Sequence, residues 1–328
     1  MTFTDCVAIT DTSSIGEARR SAASAAGKLG MDETRSGELA ILTTEVSRNV
    51  LIHGGGGHVI VTGFANRAGP LARILAVDKG VGIGNLAQAM SDGYSTAGTM
   101  GAGLGAMRRL ATRFEIFTSQ GGTIVLLEVG NSLQDDQVQF AGIALPYPGE
   151  HVSGDSWYCA PAEDRWVAVL TDGLGHGLGA ADAAREAIAT FRQRSASRPA
   201  EILNYMHDAL RKTRGAVAAV VEICPSQGAL IYAGVGNISA SLISGGISRS
   251  LVSHNGTLGA TVQRIQEFRA EWKSDSVFVM HSDGLHTKWD LFSYAGLVSR
   301  HPALICGALL RDFRRQRDDS SIVVLKAA

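Results

Sequence analysis

The chain has 328 residues, 45% of them hydrophobic, which is enough for two domains of ordinary size, each with its own core. It carries 30 basic and 31 acidic residues, interspersed, for a formal net charge of −1, which excludes the basic footprint of a nucleic-acid-binding protein. The cysteines Cys6, Cys159, Cys224 and Cys306 form no CxxC pair and fit reduced thiols, and no apolar run reaches the roughly 18–20 residues of a membrane span. The start, MTFTDCVAIT, lacks the basic residues and apolar core of a signal peptide, so a cytoplasmic protein that engages neither nucleic acid nor membrane is expected.

Residues 3–10 alternate as a first strand. Residues 14–29 predict an Ala-rich amphipathic helix stopped by Gly30. A second helix is predicted from Thr34 to His53, where Leu39, Leu42, Val46 and Val50 recur at helical spacing. Glu45 and Asn49 lie four apart and share one face of it. A carboxylate there can take a proton from an attacking hydroxyl, and an amide oxygen one turn on can hold magnesium. An isolated E-x-x-x-N is usually no more than a solvated helix face. Here it is followed by a sharp break at Gly54–Gly57, a strand at His58–Gly63, and then a glycine-rich stretch.

That stretch runs from Asp78 to Gly105. The apolar run Leu71–Val77 predicts a buried strand that ends in the Asp78 carboxylate, followed by Gly80 and Gly82. A second cluster, Gly101, Gly103 and Gly105, opens onto a helical pattern at Leu104, Met107, Leu110 and Ala111. An acid among glycines suits a planar polar ligand, because backbone without Cβ can approach it closely. Glycines at a helix start suit a phosphate chain, since free N–H groups and the helix dipole point at it. The pattern describes a nucleotide cleft with Asp78 at its base end.

Glu45 with Asn49, D-x-G-x-G-I at Asp78–Ile83, G-x-G-L-G at Gly101–Gly105, and Gly121-Gly122-Thr123 before a strand Ile124–Val129 resemble, in order, the ATP-binding boxes of the GHKL superfamily. Over residues 35–130 the resemblance is to the short serine/threonine kinases that regulate bacterial sigma factors, of the stressosome switch-kinase (RsbT) type. It implies a Bergerat fold, a mixed sheet with helices on one face, binding ATP with magnesium. It further implies that Asp78 bonds the adenine amino group, that Asn49 coordinates magnesium and that Glu45 is the general base. Gly80, Gly82, Gly101, Gly103 and Gly105 would frame base and phosphates, with Thr123 near the adenine.

The polar run at residues 131–137, NSLQDDQ, marks a domain boundary, so the domains are expected at 1–133 and 138–328. Val138–Ala144 reads as the first strand of the second. Aspartates then recur at strand ends: Asp155 before Ser156–Cys159, Asp172 after Trp166–Leu170, Asp283 after Val277–Met280, and Asp318-Asp319 before Ile322–Leu325. Any single Asp-Gly is a turn signal. Several at neighbouring strand ends converge, and converging carboxylates repel unless a cation neutralises them. An oxygen-only cluster suits magnesium or manganese, and two such ions could activate a water against a phosphoryl group. Helices are predicted at Ala180–Arg194, Pro199–Thr213 and Leu304–Arg315, the last with a basic end, Arg311 to Arg317, that suits its dipole. Further strands are expected at Val217–Ile223, Ala229–Val235 and Ser239–Ile243.

G-D, D-G-x-G-H-G, S-D-G and D-D-x-S, in that order over residues 138–328, resemble the metal-dependent PPM phosphatases, in particular their compact SpoIIE-type, RsbX-like branch. The resemblance implies an αββα sandwich holding two Mn2+ or Mg2+ ions on Asp155, Asp172, the Gly173 carbonyl, Asp283 and Asp318, with Asp319 the alternative to Asp318. In a departure from the larger phosphatases, no clear arginine lies upstream of Asp155 in this domain to hold the substrate phosphate; His151 is the nearest polar candidate, and His176 is an acid, a phosphate contact or a loop residue. The combined expectation is a fused kinase and phosphatase of sigma-factor or stress signalling. Its targets would be STAS-domain regulatory phosphoproteins, an antagonist or a stressosome scaffold, with a further phosphatase or sigma regulator as an additional partner. The alternative is a first domain that sequesters a partner when ATP is bound; an intact Glu45 argues against it, because pure binding needs no base.

Overall fold

The computed structural model describes residues 2–66, 69–90, 103–131 and 137–328. Gly101 and most of the predicted boundary segment lie outside them. The chain divides into two compact units, Met1–Asp135 and Asp136–Ala328.

The first unit runs β1 (Thr2–Ile9), α1 (Thr12–Leu29), α2 (Glu33–Gly54), β2 (Gly57–Asn66), β3 (Gly69–Asp78), α3 (Leu86–Ala89), α4 (Leu104–Leu110), β4 (Arg113–Ser119) and β5 (Gly122–Gly130). Asp11 and Ser14 start α1 with a capping box, and Gly30 ends it in the left-handed conformation. Asp32 then caps α2, so only residues 30–32 separate the helices and the chain must double back. That reversal returns β2 beside β1, and hairpins join β2 to β3 and β4 to β5. The described strands, in the order β1-β2-β3-β5-β4, therefore pair antiparallel throughout, where a mixed sheet was expected. All the larger helices cover one face. Ala18, Ala22 and Ala25 of α1, Leu39, Leu42, Val46 and Val50 of α2, and Met107 of α4 share a core with Val59, Val61, Ile74, Ala76, Val125 and Leu127. β4 was not foreseen as a separate strand; only Ile116 and Phe117 are buried in it, so it shows no alternation to read.

The second unit opens with β6 (Val138–Leu145), β7 (Asp155–Ala162), β8 (Arg165–Gly173), α5 (Leu178–Arg194), α6 (Pro199–Ala209), β9 (Ala216–Cys224) and β10 (Ala229–Val235). It continues with β11 (Ser239–Ser244), β12 (Ile247–Leu251), the short pair β13 (Gly256–Thr257) and β14 (Thr261–Val262), β15 (Phe268–Glu271), β16 (Val277–His281), α7 (Pro302–Phe313) and β17 (Ser320–Ala327). Two five-stranded antiparallel sheets result, β15-β10-β9-β8-β7 and β12-β11-β16-β17-β6. They stack face to face. Phe140 of β6 meets Trp166 of β8 with ring centres 5.5 Å apart, and a methyl at Gly142 would lie 2.3 Å from the Trp157 indole. The outer face of the first sheet is closed by α5 and α6, whose Ala183, Ala187, Phe191, Ile202, Leu203 and Met206 pack on Val167, Val169, Ala218 and Val220. α7 lies on β6 and β17. This is the expected αββα sandwich.

The basic end of the last helix departs from expectation. α7 stops at Phe313, short of the expected Arg315, and the first residue of the basic run, Arg311, is buried and forks onto Asp312 through Nε and Nη2, each at 2.8 Å.

Candidate active sites

In the first unit, Asp78 closes β3 and is buried. Its Oδ1 accepts from two backbone N–H groups, Gly80 at 2.8 Å and Thr123 at 3.0 Å, while Oδ2 has no partner among the described residues. One oxygen is thus spent on aiming the other. The glycines around it are forced by this close approach. A Cβ at Gly54 would lie 2.4 Å from the Cβ of Asp78, and Gly122, at φ +118, would set one 2.1 Å from the Asp78 carbonyl oxygen. Gly82 is likewise left-handed, and beside it the Ile83 N–H donates to Thr118 Oγ1 at 2.8 Å, which in turn lies 3.3 Å from Thr123 Oγ1. Gly103 caps α4, in whose first turn Gly105 is buried.

Glu45 and Asn49 stand half-buried on α2, the same helix whose C-terminal Gly54 backs Asp78. Arg48 holds Glu45 Oε1 at 3.1 Å, leaving Oε2, and the Asn49 amide has no partner among the described residues. Glu45 Oε2 and the Asn49 amide are thus left open along α2, and Asp78 Oδ2 is left open beside the Gly54 that ends it; such groups can take a proton, hold a hard cation and read a planar donor.

In the second unit, β7 and β8 pair so that Asp155 lies directly opposite Asp172. Asp172, Asp283 and Asp318 line a cavity of about 440 Å³ together with Gly175, Asn237 and Asn255. Asn237 Nδ2 donates to Asp283 Oδ2 at 2.8 Å and orients it. Asp155 lies outside that lining, buried, and neither of its carboxylate oxygens has a hydrogen-bond partner among the described residues. The neighbouring aspartates separate by direction: Asp318 faces the cavity, whereas Asp319 is buried and accepts from Tyr147 N at 2.8 Å. His176 lies aside from the cavity lining; its Nδ1 is 3.0 Å from Glu150 Oε1 and its ring stacks on Tyr147 at 4.9 Å. His151 is exposed.

The electrostatics follow from this crowding. Burial, and then the neighbouring carboxylates, push Asp172 well above the ordinary aspartate range. Burial pushes Asp155 up as well, opposed by the hydroxyls of Ser282 and Ser321, which lie nearby without closing a hydrogen bond. Burial followed by Asp318 raises Asp283. Among the described residues no three His, Cys, Asp or Glu side chains close into a ready-made metal shell. The donor set nonetheless fits a hard cation, since magnesium characteristically keeps several waters and takes one or two carboxylates, and the orphaned Asp155 oxygens need a positive partner.

A pH dependence follows. In metal-free protein these raised groups hold protons that the unfolded chain has released, so stability should fall as pH rises past the unfolded aspartate value of about 4 and level off only above the raised folded values. A divalent cation should reverse the loss, most strongly at the alkaline end. Thermal unfolding from pH 5 to 9, with and without magnesium or manganese, reads both effects; a metal-free midpoint that rises over this range would refute the raised carboxylates.

The sequence profile of Stage II sporulation protein E (SpoIIE) matches residues 162–328, and that of the histidine kinase-like ATPase domain matches residues 9–129. The chain belongs to the SpoIIE family. The match includes Asp172, Asp283 and Asp318 and begins just after Asp155. The serine/threonine-protein kinase RsbT of Bacillus subtilis is 31% identical over 116 residues, 35% of this chain and 87% of that protein. The phosphoserine phosphatase RsbX of the same organism is 28% identical over 155 residues, 47% of this chain and 77% of that one. A solved structure of RsbX in complex with magnesium shares the fold, with a TM-score of 0.54 and 23% identity over 60% of this chain and 98% of that one. A kinase-type ATPase domain and a SpoIIE-type phosphatase domain are thus joined in one polypeptide. No helix among the described residues is long and apolar enough to cross a membrane.

Sequence reasoning missed Asn237 and Asn255, single amides that belong to no motif and reach the cavity only through the folding of their loops. It also missed Arg48, whose spacing from Glu45 was visible as an i, i+3 pair.

Proposed function

We propose that this SpoIIE-family chain is a bifunctional regulator of bacterial stress or sigma-factor signalling. Its first domain, residues 1–133, phosphorylates a serine or threonine of a STAS-domain protein, and its second, residues 138–328, removes phosphate from the same protein or a sibling. The observation that carries the reading is the pairing, in one chain, of a free Glu45–Asn49–Asp78 set with a cavity of crowded, charge-starved aspartates. The relatives support it, one being a kinase and the other a phosphoserine phosphatase.

In the kinase half, Asp78 Oδ2 accepts from the adenine amino group, Asn49 holds the magnesium of ATP, and Gly80, Gly82, Gly101, Gly103, Gly105 and Thr123 frame the nucleotide. Glu45 Oε2 takes the proton of the substrate hydroxyl as its oxygen bonds to the γ-phosphorus and the bond to the ADP oxygen breaks. In the phosphatase half, Asp155, Asp172, the Gly173 carbonyl, Asp283 and Asp318 would hold one or two magnesium or manganese ions, with Asp318 preferred over the inward-facing Asp319. Bound there, such ions supply a deprotonated water and a clamp on the phosphoryl oxygens. The setting is cytoplasmic.

The test uses purified protein, γ-labelled ATP, magnesium and a STAS-domain protein encoded nearby. Label should pass to a serine or threonine and then leave it when manganese is added. A target that binds the protein only with ATP yet never takes label would replace kinase activity with sequestration.

A further inference from the structure

The carboxylate cavity explains how cations would be held but not how a phosphate dianion is accepted by a site so rich in acid. No arginine lies between Val138 and Asp155 to supply a positive fork. We propose that Arg214, whose side chain packs against the glycine loop between Asp172 and α5 beside the carboxylate cavity, contacts the phosphoryl group of the substrate. This rests on the phosphatase reading of the same cavity.

Arg214 precedes β9, and the next residue ties that turn to the loop after Asp172: Leu174 N donates to the Gly215 carbonyl at 3.1 Å. The side chain lies flat on the loop and the first turn of α5. A Cβ at Gly179 would stand 2.6 Å from Arg214 Nε and 2.8 Å from Cζ, and one at Gly175 would stand 3.4 Å from Nη1. Leu174 and Gly175 themselves line the cavity with Asp172, Asp283 and Asp318. The guanidinium is thereby held beside the cavity, yet it makes no hydrogen bond or ion pair with any described residue.

The other arginines near this end of the unit are differently engaged. Arg311 is forked onto Asp312, Arg314 Nη2 donates to the Pro146 carbonyl at 2.8 Å, and the charge of Arg315 lowers Asp283 and so offsets a carboxylate. An exposed planar fork with unspent donors, packed on a loop that lines the carboxylate cavity, matches two oxygens of a phosphate. The absence of a side chain at Gly179 is what lets it lie there.

The experiment compares wild type, Arg214→Ala, Arg214→Lys, Gly179→Ala and the double variant Gly179→Ala/Arg214→Ala, with p-nitrophenyl phosphate in manganese and inorganic phosphate as competing product. Arg214→Ala should raise KM and the phosphate inhibition constant together, on the order of ten- to a hundredfold, since a hydrogen-bonded charge is lost. Manganese should still raise the unfolding temperature as in wild type. Lysine should restore part of the loss as a point charge without the fork. Gly179→Ala, which displaces the side chain without removing it, should raise KM and the phosphate inhibition constant as a single variant and add nothing to Arg214→Ala in the double variant. The proposal falls if Arg214→Ala leaves KM and phosphate inhibition within about twofold of a wild type that turns over. A wild type that hydrolyses nothing in manganese overturns the phosphatase reading, and this assignment with it.

Discussion

Asp172→Asn is expected to turn transient labelling of the target into permanent labelling. With γ-labelled ATP and a STAS-domain protein, the wild type should show label that rises and then decays, while the variant's label should rise to a plateau. The reason lies in charge. Asp172 lines the cavity from the end of β8 with Asp155 opposite it, so its carboxylate would hold a cation bound there. An amide keeps its shape but not its charge. Loss of mere outer-shell partners of a metal commonly costs 10–100-fold, so loss of a ligand should reduce hydrolysis by at least about a hundredfold. Collapse of the fold is not an available explanation: burial and its carboxylate neighbours push Asp172 up to about 9, so near neutral pH the metal-free protein already holds it as an uncharged carboxyl, and the variant with an amide there should unfold no lower than wild type. Decay of label at the wild-type rate in manganese would overturn the metal assignment.

Glu45→Ala is expected to abolish labelling altogether while leaving nucleotide binding in place. The side chain lies on α2, half-buried, and its one ion pair among the described residues is with Arg48 at 3.1 Å, an i, i+3 pair of the kind that contributes under about 1 kcal/mol to stability. The variant should therefore fold normally. Asp78, with Oδ1 fixed by Gly80 and Thr123, does not depend on Glu45, so affinity for a fluorescent ATP analogue should be unchanged within about twofold. Phosphoryl transfer should fall by about 10²–10⁴-fold, the usual contribution of a positioned base. Combined with Asp172→Asn, it should remove the plateau. Loss of nucleotide affinity in Glu45→Ala would show that the carboxylate serves binding and that its role as base is wrong.

The chemistry of both sites was written in short runs that fold locally. Glu45 and Asn49 share a face because four residues make about one helical turn, and Asp78 stands at a strand end because an apolar run stops there. The glycines beside Asp78 are needed by a backbone approach that any cleft of this shape imposes, which is why their pattern could be read before the cleft was seen. In the second unit the aspartates at strand ends were legible one by one, and antiparallel pairing of neighbouring strands made their convergence a fair expectation. What the order of residues did not carry was direction and register. Asp318 and Asp319 are adjacent and chemically alike; only the start of β17 decides that one faces the cavity and the other is turned to the Tyr147 amide. The antiparallel first sheet was likewise decided by the doubling back of α1 and α2. Asn237 and Arg214 lie far from the motifs in sequence and take their places from long-range strand pairing, whose partners are chosen by the packed core and not by local propensity.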